Sequence, residues 1–176
     1  MRRELTSEAL RELMAELART APPGERFQVY VVGGGTAVLA GWRASTIDAD
    51  LYAEREEVFR DVQGIKERLR LNVEFARPEQ FVPALAGSAD RHLFIDRVGG
   101  VDFYNYDPYA QLFSKIVRGF RKDLLDAVQF VRSGMVDPRQ FNDLVRQIPE
   151  SAYARYPNLS RTAILAAVGD FLANVE

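Results

Sequence analysis

The residues best suited to chemistry in this sequence are a glycine triplet and two aspartates that follow it. Gly33, Gly34 and Gly35 end a run of β-branched and aromatic residues, and Asp48 and Asp50 lie further along the chain. Glycine lets a backbone turn approach a phosphate group closely, because it has no side chain. The N–H groups of a helix that begins there add a partial positive charge. Carboxylates bind Mg²⁺, so the two features predict a site where phosphate oxygens and a metal ion meet.

The aspartate pair lies in a segment with the alternation of a β-strand. Residues 47–53 alternate polar and apolar side chains, so Asp48 and Asp50 share one face of the strand. Phosphoryl and nucleotidyl transfer depend on positioning and charge neutralisation, and two Mg²⁺ ions about 4 Å apart can clamp the attacking and leaving oxygens. Two ions usually require a third carboxylate. Glu74, on the next predicted strand, is the candidate, and Asp102 is the alternative.

The periodicity of the whole chain places these strands among helices. The predicted strands are residues 27–32, 47–53 and 71–76, followed by a hairpin of 92–98 and 101–106 around two glycines. The predicted helices are 7–20 with Ser7 as cap, 36–42 and 56–69, followed by one opened by Asp107-Pro108, one with the apolar stripe Leu124, Leu125, Val128 and Val131, one opened by Asp137-Pro138, and a last one capped by Asn158. Strands followed by helices indicate an α+β fold, with a core in residues 1–107 and a C-terminal helical region in 108–176 packed on it.

Composition excludes several classes of site. The chain has 176 residues, 47% of them hydrophobic, and a net charge of -2, so any contact with nucleic acid requires a local basic patch. The absence of cysteine excludes disulfides, thiolate catalysis and cysteine metal sites, and the single histidine, His92, excludes a multi-histidine metal site. No apolar run reaches the roughly 18 residues of a membrane span, and the amphipathic start is unlike a signal peptide. We therefore expect a cytoplasmic protein without membrane contact.

A family resemblance is carried by the same residues. The motif Gly34-Gly35-Thr36-Ala37, then Arg43, then Thr46-x-Asp48-x-Asp50 resembles nucleotidyltransferase-fold proteins of the polymerase-beta-like superfamily, and among them relatives of the abortive-infection type IV toxins. Later segments are similar to a poorly characterised bacterial branch of that fold. These segments are Asn72-Val73-Glu74-Phe75-Ala76, Lys115-Ile116-x-Arg118-Gly119 and Asp123-Leu124-x-Asp126. The resemblance covers residues 27–134.

The resemblance implies a mixed β-sheet flanked by helices, followed by a C-terminal helical region. It also implies transfer of a nucleoside monophosphate from an NTP to a hydroxyl of RNA, protein or a small molecule, with Mg²⁺ or Mn²⁺ as cofactor. A toxin–antitoxin role would add a cognate antitoxin or regulatory partner. By the resemblance, Gly34, Gly35 and Thr36 line the triphosphate, Asp48 and Asp50 hold the metal, Glu74 completes the carboxylate set or acts as base, and Lys115 reaches a phosphate.

Other interpretations stay open beside this one. The turn contains Gly34-Gly35-Thr36 where the superfamily has Gly-Ser, which favours a regulatory or binding module of the same fold with little turnover. Whether the chain is an active enzyme is therefore open. The glycine triplet also partly matches a dinucleotide-binding motif, although Val38 occupies the position of its last glycine.

Two basic features also have more than one interpretation. Arg43 either steers a phosphate or solvates its loop. Lys115, Arg118 and Lys122 recur at helical spacing and form either a solvated face or a basic rim beside the triphosphate.

Overall fold

In the computed structural model, which describes residues 1–175, the alternating segments of the sequence pair into two β-sheets. The strands are β1 (Leu5–Thr6), β2 (Phe27–Val32), β3 (Ser45–Thr46), β4 (Asp48–Tyr52), β5 (Asn72–Phe75), β6 (Leu93–Val98) and β7 (Val101–Asn105). The main sheet has the order β5-β4-β2-β7-β6, and a small second sheet pairs β1 with β3. The main sheet is mixed, because β2–β7 and β4–β5 are parallel pairs whereas β2–β4 and β6–β7 are antiparallel.

Seven α-helices complete the described part of the chain. They are α1 (Ser7–Thr20), α2 (Gly34–Ala40), α3 (Val62–Leu69), α4 (Pro108–Arg118), α5 (Arg121–Arg132), α6 (Pro138–Arg146) and α7 (Arg161–Val175). The chain divides into two compact units. The first unit contains Met1–Arg77 and Leu93–Tyr106, and the second contains Pro78–His92 together with the chain from Asp107 onward. The segment between β5 and β6 therefore belongs to the helical unit.

One face of the main sheet forms the core of the first unit. Alternate strand residues such as Val29, Leu51 and Phe103 are buried together with α1 and α3. Helix α1 contributes an apolar stripe at helical spacing, which removes its leucines from water. The stripe consists of Leu10, Leu13, Met14 and Leu17. The remaining alternate residues of the strands, which apart from Val32 are mostly polar or aromatic, lie on the opposite face of the sheet.

Local signals explain how the helices of the second unit begin. Asp107 accepts a hydrogen bond from the Tyr109 N–H at 2.9 Å, and Asp137 accepts one from the Gln140 N–H at 2.9 Å. In both cases a proline follows at the first helical position, where its missing N–H costs nothing. The two Asp-Pro helix starts predicted from the sequence are confirmed.

Three local predictions were wrong. The cap of α1 is Thr6, whose hydroxyl accepts from the Ala9 N–H, and not Ser7. Helix α7 begins after Ser160, which accepts from the Ala163 N–H, and not at Asn158. Residues 56–69 form a 3₁₀ turn at Glu56–Phe59 and then α3, because the backbone leaves the helical region at Asp61 (φ -112°, ψ 23°).

The predicted α+β class is confirmed, with a mixed sheet flanked by helices and a helical C-terminal region. Within residues 1–175, no helix combines the length and the apolar character needed to cross a membrane.

Candidate functional site

The glycine turn and Asp50 are in direct contact at the end of β2. Val32, the last residue of β2, pairs with Asp50 of β4. Gly33 has φ 64° and ψ -129°, a backbone conformation that residues with side chains avoid. A Cβ atom at Gly33 would lie 2.9 Å from Asp50 Oδ2. The Asp50 carboxylate therefore rests against the backbone of the turn, and glycine at position 33 permits that approach.

The next two glycines have packing reasons of their own. A Cβ atom at Gly34 would overlap the Thr46 hydroxyl, and one at Gly35 would lie 2.7 Å from Val31 Cγ1. The turn is thus pressed against β2 and β3 as well as against β4. This contact brings the segment with the aspartates to the glycines, so the two motifs form one site.

Neighbouring strands add further polar side chains beside the aspartates. Asp48 pairs with Asn72 and Asp50 with Glu74 across the parallel strands β4 and β5. The Asn72 amide donates to Asp48 Oδ1, and it lies 3.4 Å from Glu74 Oε1 as a second acceptor. Asp48 and Asp50 are half-buried, whereas Glu74 is exposed. The three predicted carboxylates therefore share one face of the sheet, with an amide between two of them.

The donor chemistry of this patch fits Mg²⁺. That ion prefers oxygen ligands, keeps several waters and usually binds through one or two carboxylates together with substrate phosphates. Asp48 and Asp50 supply the carboxylate oxygens. Within residues 1–175, no three or more His, Cys, Asp or Glu side chains are gathered as a complete metal cage. The Asn72 amide lies between Asp48 and Glu74 and joins the carboxylates of β4 and β5.

Thr36 has its side chain on the inner side of the turn. The residue is fully buried, and its hydroxyl lies 3.0 Å from Asn105 Oδ1 and 3.3 Å from the Val31 carbonyl oxygen. The hydroxyl thus ties α2 to β2 and to the end of β7. A phosphate would therefore be contacted by the backbone of Thr36 and not by its hydroxyl.

The residues that form this site lie within the match to a protein-family model. The family model described as "Nucleotidyltransferase of unknown function (DUF6036)" matches residues 8–168, which include the turn, all three carboxylates and most of the helical unit. The chain belongs to this family. The resemblance inferred from the turn and the Asp-x-Asp pair is confirmed at the level of a nucleotidyltransferase-fold protein.

This DUF6036 protein was also compared with solved structures and with curated proteins. A crystal structure of an antigenic nucleotidyltransferase-like protein from Paracoccidioides brasiliensis is similar, with a TM-score of 0.48 and 14% sequence identity. The similarity covers 94% of this chain and 95% of that one. No curated protein matches the sequence.

The two remaining predicted nucleotide-binding residues of this DUF6036 protein are Arg43 and Lys115. Arg43 is half-buried in the loop between α2 and β3, where its N–H donates to the Ala37 carbonyl at 3.4 Å. Lys115 belongs to the second unit and is buried in α4. Its ammonium group lies 3.1 Å from Asp126 and 3.6 Å from Asp123. The solvated face suggested for Lys115 is therefore wrong for that residue.

Asp102, the alternative third carboxylate, is far from the aspartate pair. It pairs with Gln28 on β2, whereas Asp50 pairs with Val32. Four residues of strand correspond to about 13 Å. Hydrogen bonds from Arg97 lower the pKa of Asp102 against the opposing effect of burial, and Arg26 lowers it further. Asp102 is thus the anchor of two arginines, and its suggested role as metal ligand was wrong.

Sequence reasoning included Asn72 and Thr46 in the motifs of this DUF6036 protein but assigned neither side chain a role. Asn72 bonds to Asp48, and Thr46 lies on Gly34. Strand alternation contains part of the signal, because Asn72 is two residues before Glu74 and must share its face. The role of Thr46 could not be found in this way, since its contact depends on how the turn packs on β3.

Proposed function

We propose that this protein is a Mg²⁺-dependent nucleotidyltransferase that moves a nucleoside monophosphate from an NTP to a hydroxyl group. The observation that supports it most strongly is the contact of the Asp50 carboxylate with the Gly33 backbone, with Asp48 on the same face. A turn without side chains and a carboxylate pair at its surface are what a bound NTP with its metal requires.

In the proposed reaction, the acceptor oxygen forms a bond to the α-phosphorus of the NTP. The bond from that phosphorus to the bridging oxygen of the β-phosphate breaks, and pyrophosphate leaves. Glu74 is the group we assign to receive the proton of the acceptor hydroxyl, because it is exposed beside Asp50. The products are the nucleotidylated acceptor, pyrophosphate and one proton.

The remaining residues bind and position the reactants. Asp48 and Asp50 would hold Mg²⁺, which when bound neutralises the phosphate charge that would otherwise repel the acceptor oxygen. Asn72 fixes the orientation of Asp48 through its amide. The backbone of Gly33, Gly34 and Gly35 would line the triphosphate. Placement of these groups is the main source of rate in phosphoryl and nucleotidyl transfer.

A second candidate function is a nucleotide-binding module of the same fold with little turnover. One observation favours it: the Glu74 carboxylate is engaged with Asn72 and is not gathered with both aspartates into a three-carboxylate group within residues 1–175. Such a module would bind Mg²⁺-NTP and depend on a partner, such as an antitoxin or another regulatory protein, for its effect.

A label-transfer assay distinguishes the two functions. Wild-type protein is incubated with each α-labelled NTP, Mg²⁺ or Mn²⁺, and bulk RNA or cell lysate, and NTP binding is measured in parallel by calorimetry. We expect labelled macromolecule with wild type and a loss of about 100-fold or more in Asp48→Asn, the size found when one charge-stabilising group is removed.

Asp96→Asn is the matched control, because Asp96 is an exposed aspartate of β6 in the same sheet. It should label its acceptor at the wild-type rate. Binding of NTP without label on any acceptor would support the module instead. Wild-type protein that binds no NTP at all contradicts both functions.

A further inference from the structure

The open face of the main sheet carries a line of aromatic side chains that the proposed chemistry does not use. Tyr52, Tyr30, Tyr104 and Phe94 are cross-strand neighbours on β4, β2, β7 and β6, and we call them the aromatic row. Successive ring centroids are 6.0, 5.6 and 5.7 Å apart. Four adjacent strands make the row about 14 Å long. Tyr106 packs at a steep angle against Tyr30 and Tyr52. The three tyrosines of the row are half-buried and Phe94 is 59% exposed, so the row presents part of its ring surface to solvent.

The row is aligned with the carboxylates of the candidate site. Tyr52 is two residues beyond Asp50 on β4, and Tyr30 is two residues before Val32, the partner of Asp50. Two residues of strand correspond to about 7 Å. The aromatic row therefore runs parallel to the line of Asp50 and Glu74 at that separation, on the same face of the sheet.

A pocket lined by arginines and by acidic side chains lies on the other side of the row. It has a volume of about 250 Å³ and includes Tyr30 in its lining, together with three arginines. Arg26, Arg55 and Arg97 have side chains that are 51%, 49% and 62% exposed. Arg26 and Arg97 share the carboxylate of Asp102, Arg55 pairs with Glu25 at 2.6 Å, and Glu54 also lines the pocket, so acidic side chains accompany the three arginines. A guanidinium has five N–H donors, so its bond to Asp102 leaves donors for an anion.

The carboxylates, the aromatic row and the arginine pocket follow one another across the same face of the sheet. From this order we propose that the open face of the sheet binds a single-stranded polynucleotide, whose end is the acceptor of the reaction. Its bases stack on the aromatic row, a backbone phosphate lies in the pocket of Arg26, Arg55 and Arg97, and the terminal hydroxyl reaches Asp48 and Asp50. The site rests on the proposed function only for the identity of that hydroxyl as acceptor. The face adds binding and no chemical step.

The adjacency of aromatic rings and arginine side chains favours this occupant over a peptide or a membrane. Aromatic rings next to basic side chains are the combination that single-stranded nucleic acid recognition uses, because every base has a face that stacks and every linkage has a phosphate. The protein as a whole has a net charge of -2, so the attraction must be local. Arg77 adds a further cation at the carboxylate end, with its guanidinium 4.8 Å from the centre of the Tyr52 ring.

Fluorescence anisotropy tests the site without NTP or metal. The probes are labelled oligo(U) and oligo(dT) of about ten nucleotides, which suits single-strand sites of about 4–16 nucleotides, and a duplex of equal length. We expect the single strands to bind more tightly than the duplex. Tyr30→Leu and Tyr104→Leu should each raise Kd about 5-fold or more, the value of one stacked base.

Two conservative variants separate stacking and charge from general damage to the fold. Tyr30→Phe keeps the ring and should bind nearly as wild type. Arg97→Gln leaves Asp102 its bond to Arg26, and should reduce the slope of log K against log salt by about 0.7, the contribution of one phosphate contact on a single strand.

The controls alter matched residues elsewhere in the first unit. Phe75→Leu changes an exposed ring on β5 that faces the other side of the sheet, and Arg19→Gln removes an exposed arginine of α1. Neither should alter oligonucleotide binding. Their Kd values are compared at equal salt, because phosphate contacts are salt-dependent.

Three results would overturn the proposal. The first is that wild type binds neither oligonucleotide, and the second is that the control variants weaken binding as much as Tyr30→Leu. The third is that Tyr30→Leu abolishes NTP binding while leaving oligonucleotide binding intact. The last result would assign the row to the base of the NTP. Because NTP binding is measured separately with Asp48→Asn, failure of the polynucleotide site leaves the proposed transferase function standing, and loss of NTP binding in wild type is a distinct outcome.

Discussion

At the scale of single residues, the site depends on a backbone that only glycine can supply. Gly33 combines a positive φ with a carboxylate oxygen 2.9 Å from where its Cβ would lie. Each condition alone disfavours a side chain, and together they couple the shape of the turn to the position of Asp50. The same atoms therefore determine local stability and the placement of the proposed metal ligand.

Gly33→Ala should lower the free energy of unfolding by about 1–3 kcal/mol, the cost of holding a residue with a side chain in a disfavoured backbone region. It should also weaken Mg²⁺-NTP binding, because the new methyl group displaces the Asp50 carboxylate. Urea unfolding and calorimetry measure the two effects. Gly24→Ala is the control, since Gly24 also has a positive φ (80°) but nothing within 4 Å of an added Cβ. Equal effects of both variants on nucleotide binding would contradict the coupling.

Lys115 shows how a cation that resembles a phosphate ligand can have a structural partner. Its side chain is 9% exposed and lies between Asp123 and Asp126, whose side chains are each 3% exposed. Arg118 approaches the second oxygen of Asp123 at 3.6 Å from the surface. The three buried charges join α4 to α5, and Lys115 offsets the repulsion between the two carboxylates.

Lys115→Met should destabilise the protein by about 3–5 kcal/mol, because it leaves two buried carboxylates without their cation. The measurement is chemical unfolding monitored by circular dichroism. Lys122→Met, at an exposed position of α5, should change stability by no more than about 0.5 kcal/mol. The triple variant Lys115→Met, Asp123→Asn, Asp126→Asn should recover much of the loss. If Lys115→Met removes NTP binding without loss of stability, the phosphate role inferred from the resemblance is the correct one.

At the scale of elements, the sequence predicts the strands and helices whose formation depends on local periodicity. The five strands of the main sheet and the Asp-Pro helix starts are signalled by neighbours in sequence, and they are confirmed. The small sheet of Leu5–Thr6 with Ser45–Thr46 has two-residue strands and was not predicted, because its existence depends on a contact between distant segments. The contacts of Asn72 and Thr46 were missed for the same reason, since each joins segments that are distant in sequence. The partner of Asn72 depends on strand register, which periodicity alone does not supply.

The segment 78–92 is joined to the start of α4 by a compact polar cluster. Arg91 donates to both oxygens of the fully buried Asp107 carboxylate, and His92 Nδ1 accepts from the Asp107 N–H at 2.9 Å. The imidazole must therefore be unprotonated at Nδ1. Burial lowers the pKa of His92, with the Arg91 charge acting in the same direction and Asp107 opposing it.

This geometry predicts a loss of stability in mild acid. In the unfolded chain His92 takes up a proton near its ordinary pKa of about 6.5, and in the folded chain it does so only at a lower pH. The unfolded state binds more protons in that interval, so the free energy of unfolding should fall as pH drops below about 6.5, and level off once the lowered pKa is passed.

His92→Asn isolates the effect, because an amide oxygen can accept the Asp107 N–H and does not titrate there. His92 is the only histidine of the chain, so the difference between wild type and variant reports this group alone. We expect the difference in stability to change between pH 7 and pH 5, measured by urea unfolding at each pH. A difference that is constant across this range would show that His92 titrates equally in both states.

At the scale of the whole molecule, composition and fold act together to limit the chemistry. Without cysteine and with one histidine, the chain has mainly carboxylates to offer a metal, and Lys, Arg and backbone N–H groups to offer a triphosphate. The first unit contains the turn and all three carboxylates although it is built from two separate stretches of chain. A ligand that binds there must therefore stabilise a unit whose two parts are held together by the main sheet.

Mg²⁺-NTP should accordingly raise the melting temperature of the unfolding transition that contains the first unit. A ligand that binds only the folded state, at 100 times its Kd, stabilises by about 2.7 kcal/mol. In a chain of this length that corresponds to a shift of about 5–10 °C. Differential scanning calorimetry with each NTP measures the shift, and EDTA should abolish it. Asp48→Asn should lose the shift whatever its own melting temperature, whereas Asp96→Asn should keep it. An equal shift in Asp48→Asn would place nucleotide binding outside the Asp48–Asp50 pair and remove the main support for the proposed enzyme.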